Sequence, residues 1–139
     1  PSCDTKFDDQ LSNVYACSSK MTFEFINWLE KQPFYDNTVI VLLGDHLTMQ
    51  NEYFNDYEHY NRTIYNTFIN SRANTNNNKN REFTSLDMFP TILASLGANI
   101  EGNQLGFGVN LFSDEKTIIE KIGKNRFNNE LLKLELDTK

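Results

Sequence analysis

The run Thr38-Val39-Ile40-Val41-Leu42-Leu43 constrains this chain more than any other stretch. It is rich in β-branched residues and apolar at both odd and even positions, so as a strand it would be apolar on both faces. Strands of that kind lie inside parallel sheets that helices cover on either side. The run then stops on Gly44-Asp45-His46. In open α/β sheets ligands gather beyond the carboxyl ends of the strands, and this is the position that Asp45 and His46 take. A carboxylate beside an imidazole is a natural ligand pair for a divalent cation, and the imidazole favours the transition metals. Gly44 suits a sharp exit from the strand, where a side chain would keep the backbone away from an ion or a phosphate. The competing reading makes Asp45 the cap of a following turn and His46 a hydrogen-bonded core residue. The dipeptide alone does not separate the two.

The flanking sequence supports an α/β architecture. Leu11, Val14, Ser18, Met21, Phe25 and Leu29 recur at steps of three and four, with Ile26 and Trp28 widening the stripe. That spacing predicts a helix from about Asp9 to Lys31, ended by Pro33, with Met21, Phe25 and Trp28 in the core. A second strand is expected in "TIYNTFIN" (63–70) and a loop in the asparagine tract "NTNNNKN" (74–80). In "REFTSLDMFPTILASLG", Ser85 or Asp87 can cap a helix, Pro90 fits its first turn and Gly97 its left-handed stop. "EGNQLGFGVNLFS" (101–113) reads as a glycine-punctuated loop, and one or two amphipathic helices split near Gly123 close the sequence. Helix, buried strand, strand and helix imply a mainly parallel sheet with flanking helices. The strands are too few for a complete sheet, so the simplest account is a single domain over 1–139 that is one part of a larger α/β domain.

Bulk properties exclude several classes of function. With 139 residues, a net charge of −6 and 39% hydrophobic residues, the chain can bury a core and offers no basic surface for nucleic acid. No apolar run approaches the roughly 18 residues of a membrane span. Two cysteines, Cys3 and Cys17, are too few for a four-ligand zinc site. They form a disulfide or remain two free thiols. His59, among tyrosines, either approaches a ligand or is an ordinary polar residue. Arg62 and Arg81 pair either with phosphate or with surface carboxylates. The glycines of 102–108 lack the lysine and helix start of a phosphate loop.

Three ordered stretches, "NTVIVLLGDHLTM", "FTSLDMFPTILASLG" and "GNQLGFGVNLFS", together resemble the C-terminal part of the catalytic domain of the sulfatase-like, alkaline-phosphatase superfamily. Within it the likeness is greatest to phosphoglycerol transferases of the membrane-oligosaccharide (MdoB/OpgB) and lipoteichoic-acid-synthase type. "NVYACSSKMTFEFINWLEKQPFYDNT" resembles the helix that precedes the Gly-Asp-His strand in the first of these. The leucine after Gly-Asp-His, where many sulfatases have glycine, fits that branch, whereas Gln104 stands where the pattern commonly has arginine.

The resemblance implies a partial α/β/α sandwich and a divalent metal, Mn2+ or Mg2+, held by a glutamate, a nucleophilic threonine and an aspartate-histidine pair. That pair maps to Asp45 and His46. The glutamate and threonine are expected upstream of Pro1, on the remainder of the parent catalytic domain, so no catalytic nucleophile is assigned here. The implied reaction moves glycerol phosphate from phosphatidylglycerol to a glycan or polyglycerolphosphate acceptor, at the extracytoplasmic face of a bacterial membrane, where a Cys3–Cys17 disulfide would persist. A sulfatase or phosphoethanolamine transferase on the same scaffold, or a non-catalytic binding domain derived from it, are the alternatives.

Overall fold

The computed structural model describes residues 3–47, 63–75 and 79–136. Among the described residues eight regular elements follow one another: α1 (Gln10–Leu29), β1 (Ile40–Leu43), β2 (Asn66–Ile69), α2 (Met88–Ser95), β3 (Gln104–Leu105), β4 (Gly108–Val109), α3 (Ile118–Ile122) and α4 (Lys124–Leu136). Short 3-10 turns occupy Tyr35–Asn37, Ser85–Asp87 and Glu101–Asn103. The protein is thus α/β, with β1 and β2 forming one two-stranded sheet and β3 and β4 another. By contact density it divides into two compact units, residues 1–38 with 42–67 and residues 39–41 with 68–139.

In the first unit, Asp9 caps α1 by accepting from the Ser12 amide at 2.6 Å. Such a cap satisfies one of the first-turn donors that a helix leaves without an internal partner. The segment before the helix is fastened twice. Asn13 accepts from the amides of Lys6 and Phe7 at 2.7 and 3.0 Å and donates to the Phe7 and Asp9 carbonyls at 2.6 and 3.0 Å. Cys3 and Cys17 are joined by a disulfide, with Cα atoms 5.6 Å apart. The helix has nearly its expected bounds, but its apolar stripe is not a core: Val14, Met21, Phe25 and Trp28 are all exposed and only Leu29 is buried. Phe25 and Trp28 stack on each other, ring centroids 5.8 Å apart. Periodicity identifies which face of a helix is apolar; it does not supply the surface that covers it.

The second unit holds most of the buried residues, and polar groups organise it. Asp87 is fully buried. Its Oδ2 accepts from the Thr84 amide at 2.8 Å, closing a capping box, while its Oδ1 accepts from the Val109 amide on β4, also at 2.8 Å. Thr91, one turn on, donates to the Asp87 carbonyl at 2.5 Å and accepts from the Leu111 amide at 3.0 Å. Together they tie α2 to the β3–β4 hairpin with donors and acceptors matched, as burial demands. Pro90 sits in the first turn of α2 and Gly97, at φ 90°, follows its end, both as expected. Asp87 stands at the N-cap position of α2, as one of the two expected candidates, but makes no side-chain capping bond to that helix; the bond is accepted by Thr84, ahead of the 3-10 turn at Ser85–Asp87. The glycine-rich stretch is more than a loop: it carries β3 and β4, antiparallel, turning through Gly106 and Phe107.

Arg81 has no donor to spare for a phosphate. Its Nε and Nη2 form a forked pair with Glu120 at 2.7 and 2.8 Å. Its remaining N–H groups meet the carbonyls of Leu111, Ser113 and Glu115 at 3.2, 2.7 and 2.5 Å. Glu120 in turn accepts from the Thr117 amide at 2.9 Å, in a second capping box that starts α3. The Arg81 hydrogen bonds hold the Glu120 carboxyl down at about 2. The guanidinium itself is raised by the same partner.

Candidate metal centre

The site expected from sequence lies where β1 ends. The Gly44 amide donates to the Tyr65 carbonyl at 2.9 Å, carrying the pairing with the β2 segment one residue past the strand. A Cβ on Gly44 would fall 2.6 Å from Cγ2 of Ile64, so the close approach that requires glycine here is that of a neighbouring side chain. An ion or phosphate is not needed to explain it. β1 itself departs from the expectation of two-sided burial: its residues are half-buried and Leu43 is exposed, with β2 its one strand neighbour among the described residues.

Asp45 and His46 are both well exposed, with 85% and 60% of their side-chain surface accessible. The Asp45 carboxylate is oriented locally, Oδ1 accepting from the His46 amide at 2.8 Å. Its other oxygen, Oδ2, faces His46 Nε2 at 3.3 Å. On the far side of the ring, Nδ1 lies 2.7 Å from the Leu47 carbonyl. A carbonyl only accepts, so Nδ1 carries a proton, and in the neutral ring the lone pair belongs to Nε2. A histidine whose second ring nitrogen donates to a backbone carbonyl is the usual arrangement of a metal-binding imidazole.

The donor set passes a simple fit test. Two ligands bonded to one cation at about 2.1 Å and a right angle lie about 3 Å apart. The Oδ2 to Nε2 separation of 3.3 Å is close to that, and two lone pairs facing each other so closely need a proton or cation between them. Two donors do not complete a shell, and among the described residues no group of three or more histidine, cysteine, aspartate or glutamate side chains could hold an ion. His59 and Arg62 lie outside the described residues.

Beside this strand end is a cavity of about 580 Å³ walled by Phe23 and Ile26 of α1, Leu42, Leu43 and Tyr65, with Ser18, Ser19 and Thr22 at its polar side. Nothing in the sequence patterns announced it, because it depends on which face of α1 meets β1. Asp87 and Thr91 were likewise legible only as a cap and a helix residue, although they do most of the organising in the second unit.

The profile of the Sulfatase family matches residues 2–98, a span that contains α1, the Gly-Asp-His strand end and α2. The chain therefore belongs to the sulfatase family. Neither the curated proteins nor the solved structures compared with it contain a match. Family membership places Asp45 and His46 on an α/β enzyme scaffold of the hydrolase and transferase type, in a family generally dependent on a divalent metal.

Proposed function

We propose that the chain supplies the aspartate-histidine half of a divalent metal site, Mn2+ or Mg2+, in a sulfatase-family phosphoglycerol transferase. The observation that carries the metal reading is the 3.3 Å convergence of Asp45 Oδ2 and His46 Nε2, with the opposite ring nitrogen tied to the Leu47 carbonyl. When bound, such a cation lowers the pKa of a hydroxyl nucleophile and neutralises charge on phosphoryl oxygens. Asp45 contributes a negative oxygen already oriented by the His46 amide. His46 contributes a nitrogen whose tautomer its backbone contact selects. The remaining ligands and the threonine nucleophile belong to the rest of the catalytic domain.

The apolar cavity beside Gly44 favours transfer from a lipid over sulfate-ester hydrolysis. A phosphodiester held at Asp45 and His46 would have its diacylglycerol end next to Phe23, Ile26, Leu42 and Tyr65, whereas an aryl or sugar sulfate has no comparable aliphatic part. The donor is then phosphatidylglycerol and the acceptor a glycan or polyglycerolphosphate hydroxyl, at the outer face of a bacterial cell membrane. The described residues themselves contain no helix long and apolar enough to cross one.

Binding of dihexanoyl phosphatidylglycerol with Mg2+ tests the reading. We expect side-chain resonances of Phe23, Ile26 and Tyr65 to shift with the lipid and to stay in place with an aryl sulfate. Equal shifts with the sulfate, or none with the lipid, would overturn the assignment of donor. The 139-residue chain alone is expected to release no diacylglycerol, since it holds half of the metal site, and clear turnover would contradict that division of labour.

A further inference from the structure

A second cavity, in the unit containing residues 68–139, has a different chemistry. It is an open hollow of about 550 Å³, lined by asparagines, one arginine and two acids together with the small residues Ala94, Gly97 and Ala98. We propose that it binds a neutral, hydroxyl-rich ligand, a saccharide or a related polyol. The inference is independent of Asp45 and His46.

Three features carry it. First, part of the wall is held by its own hydrogen bonds. The Asn110 amide donates to the Asn103 carbonyl at 2.8 Å, Asn110 Nδ2 donates to Asn103 Oδ1 at 3.3 Å, and Asn110 Oδ1 accepts from the Phe112 amide at 3.0 Å. Groups held in place before binding lose little entropy when a ligand arrives.

Second, donors and acceptors remain available side by side. Asn103, which lines the cavity, commits its side-chain oxygen to Asn110, and its Nδ2 is not used in that bond. The Arg72 backbone is pinned by its amide bond to Ser95 at 2.7 Å, and its aliphatic stem lies over Gly97, where a Cβ would meet Arg72 Cδ at 3.4 Å. Its guanidinium makes no hydrogen bond or ion pair with any described residue. Amides offer both a donor and an acceptor, which is what a row of hydroxyl groups requires.

Third, the charge and the aromatic ring select against an anion. Arg72 is opposed by Asp114 and Glu115 in the same cavity, a net of one negative charge, so phosphate or sulfate is repelled while hydroxyls can pair with either sign. Phe112 is locked edge-on against Phe68, centroids 5.2 Å apart, giving a fixed apolar surface for the C–H face of a sugar ring.

The test is a titration of the isotopically labelled 139-residue chain, read from side-chain amide resonances, with maltotriose, glycerol and inorganic phosphate as separate probes. The expected result is saturable shifts at Asn103 and at Asn99, which lines the cavity beside Ala98, with maltotriose, weaker ones with glycerol, and none with phosphate. Asn99→Ala, an exposed position, should weaken maltotriose binding about fivefold, the loss of one hydrogen bond, with the rest of the spectrum unchanged. Phosphate shifts equal to those of maltotriose would make the cavity an anion site and overturn the proposal. So would the absence of saturable shifts with maltotriose, or an Asn99→Ala chain that binds it as well as the parent.

Discussion

Asp87 and Asp45 are the same side chain put to opposite uses. Asp87 is buried, and each oxygen is occupied by backbone donors that hold the capping box and β4 in place. Asp45 is exposed, and one oxygen faces an imidazole nitrogen across 3.3 Å. The difference separates structure from chemistry within one chain. A carboxylate whose acceptors are saturated internally stabilises the fold, whereas one with an acceptor left facing a second potential ligand can bind something that the chain does not contain.

The sharpest way to break that comparison is to remove Asp87. Asp87→Ala leaves the buried amide of Val109 and the half-buried amide of Thr84 without acceptors, a loss of about 3 kcal/mol in unfolding free energy by chemical denaturation. Next in size is the disulfide. Replacing Cys3 and Cys17 by serine opens a loop with a sequence separation of 14, which predicts a loss of about 3 kcal/mol by the same measurement. The four hydrogen bonds of Asn13 are expected to keep the segment docked on α1 even then, so amide exchange at Lys6 and Phe7 should remain protected.

A smaller effect tests Glu120. Its carboxyl titrates at about 2 in the folded chain, below the ordinary value of 4.5. The unfolded chain therefore binds the proton first as pH falls, so the stability that Glu120 contributes is complete above about pH 4.5 and disappears toward pH 2. Melting temperature should decline across that window, and Glu120→Gln should flatten the part of the decline that this carboxylate causes. An unchanged slope would mean that the Arg81–Glu120 fork contributes little.

Local chemistry was legible in the sequence, and long-range pairing was not. The helix at Gln10–Leu29, the stop at Gly97 and the split at Gly123 follow from caps, glycines and spacing that act within a few residues. The β3–β4 hairpin also carries a local signal: Gly106-Phe107 between Leu105 and Gly108 is a two-residue connection beginning with glycine. Arg81 was open to misreading because its partners Leu111, Ser113 and Glu120 are some thirty to forty residues away. The pair Asp45–His46 was visible because its two members are adjacent, and its geometry needed only the strand end to be known.

His46→Ala should have the smallest effect on stability, within about 0.5 kcal/mol, because the side chain is exposed and its polar partners among the described residues are its sequence neighbours Asp45 and Leu47. It is also the variant that decides the central claim. Titrating the labelled chain with Mn2+ should broaden resonances around Gly44, Asp45 and His46 before any others, with weak affinity, and His46→Ala should abolish that local broadening while the fold is unchanged. Broadening that starts elsewhere, or that persists at Gly44 and Asp45 in the His46→Ala chain, would contradict the assignment of these two residues to a metal.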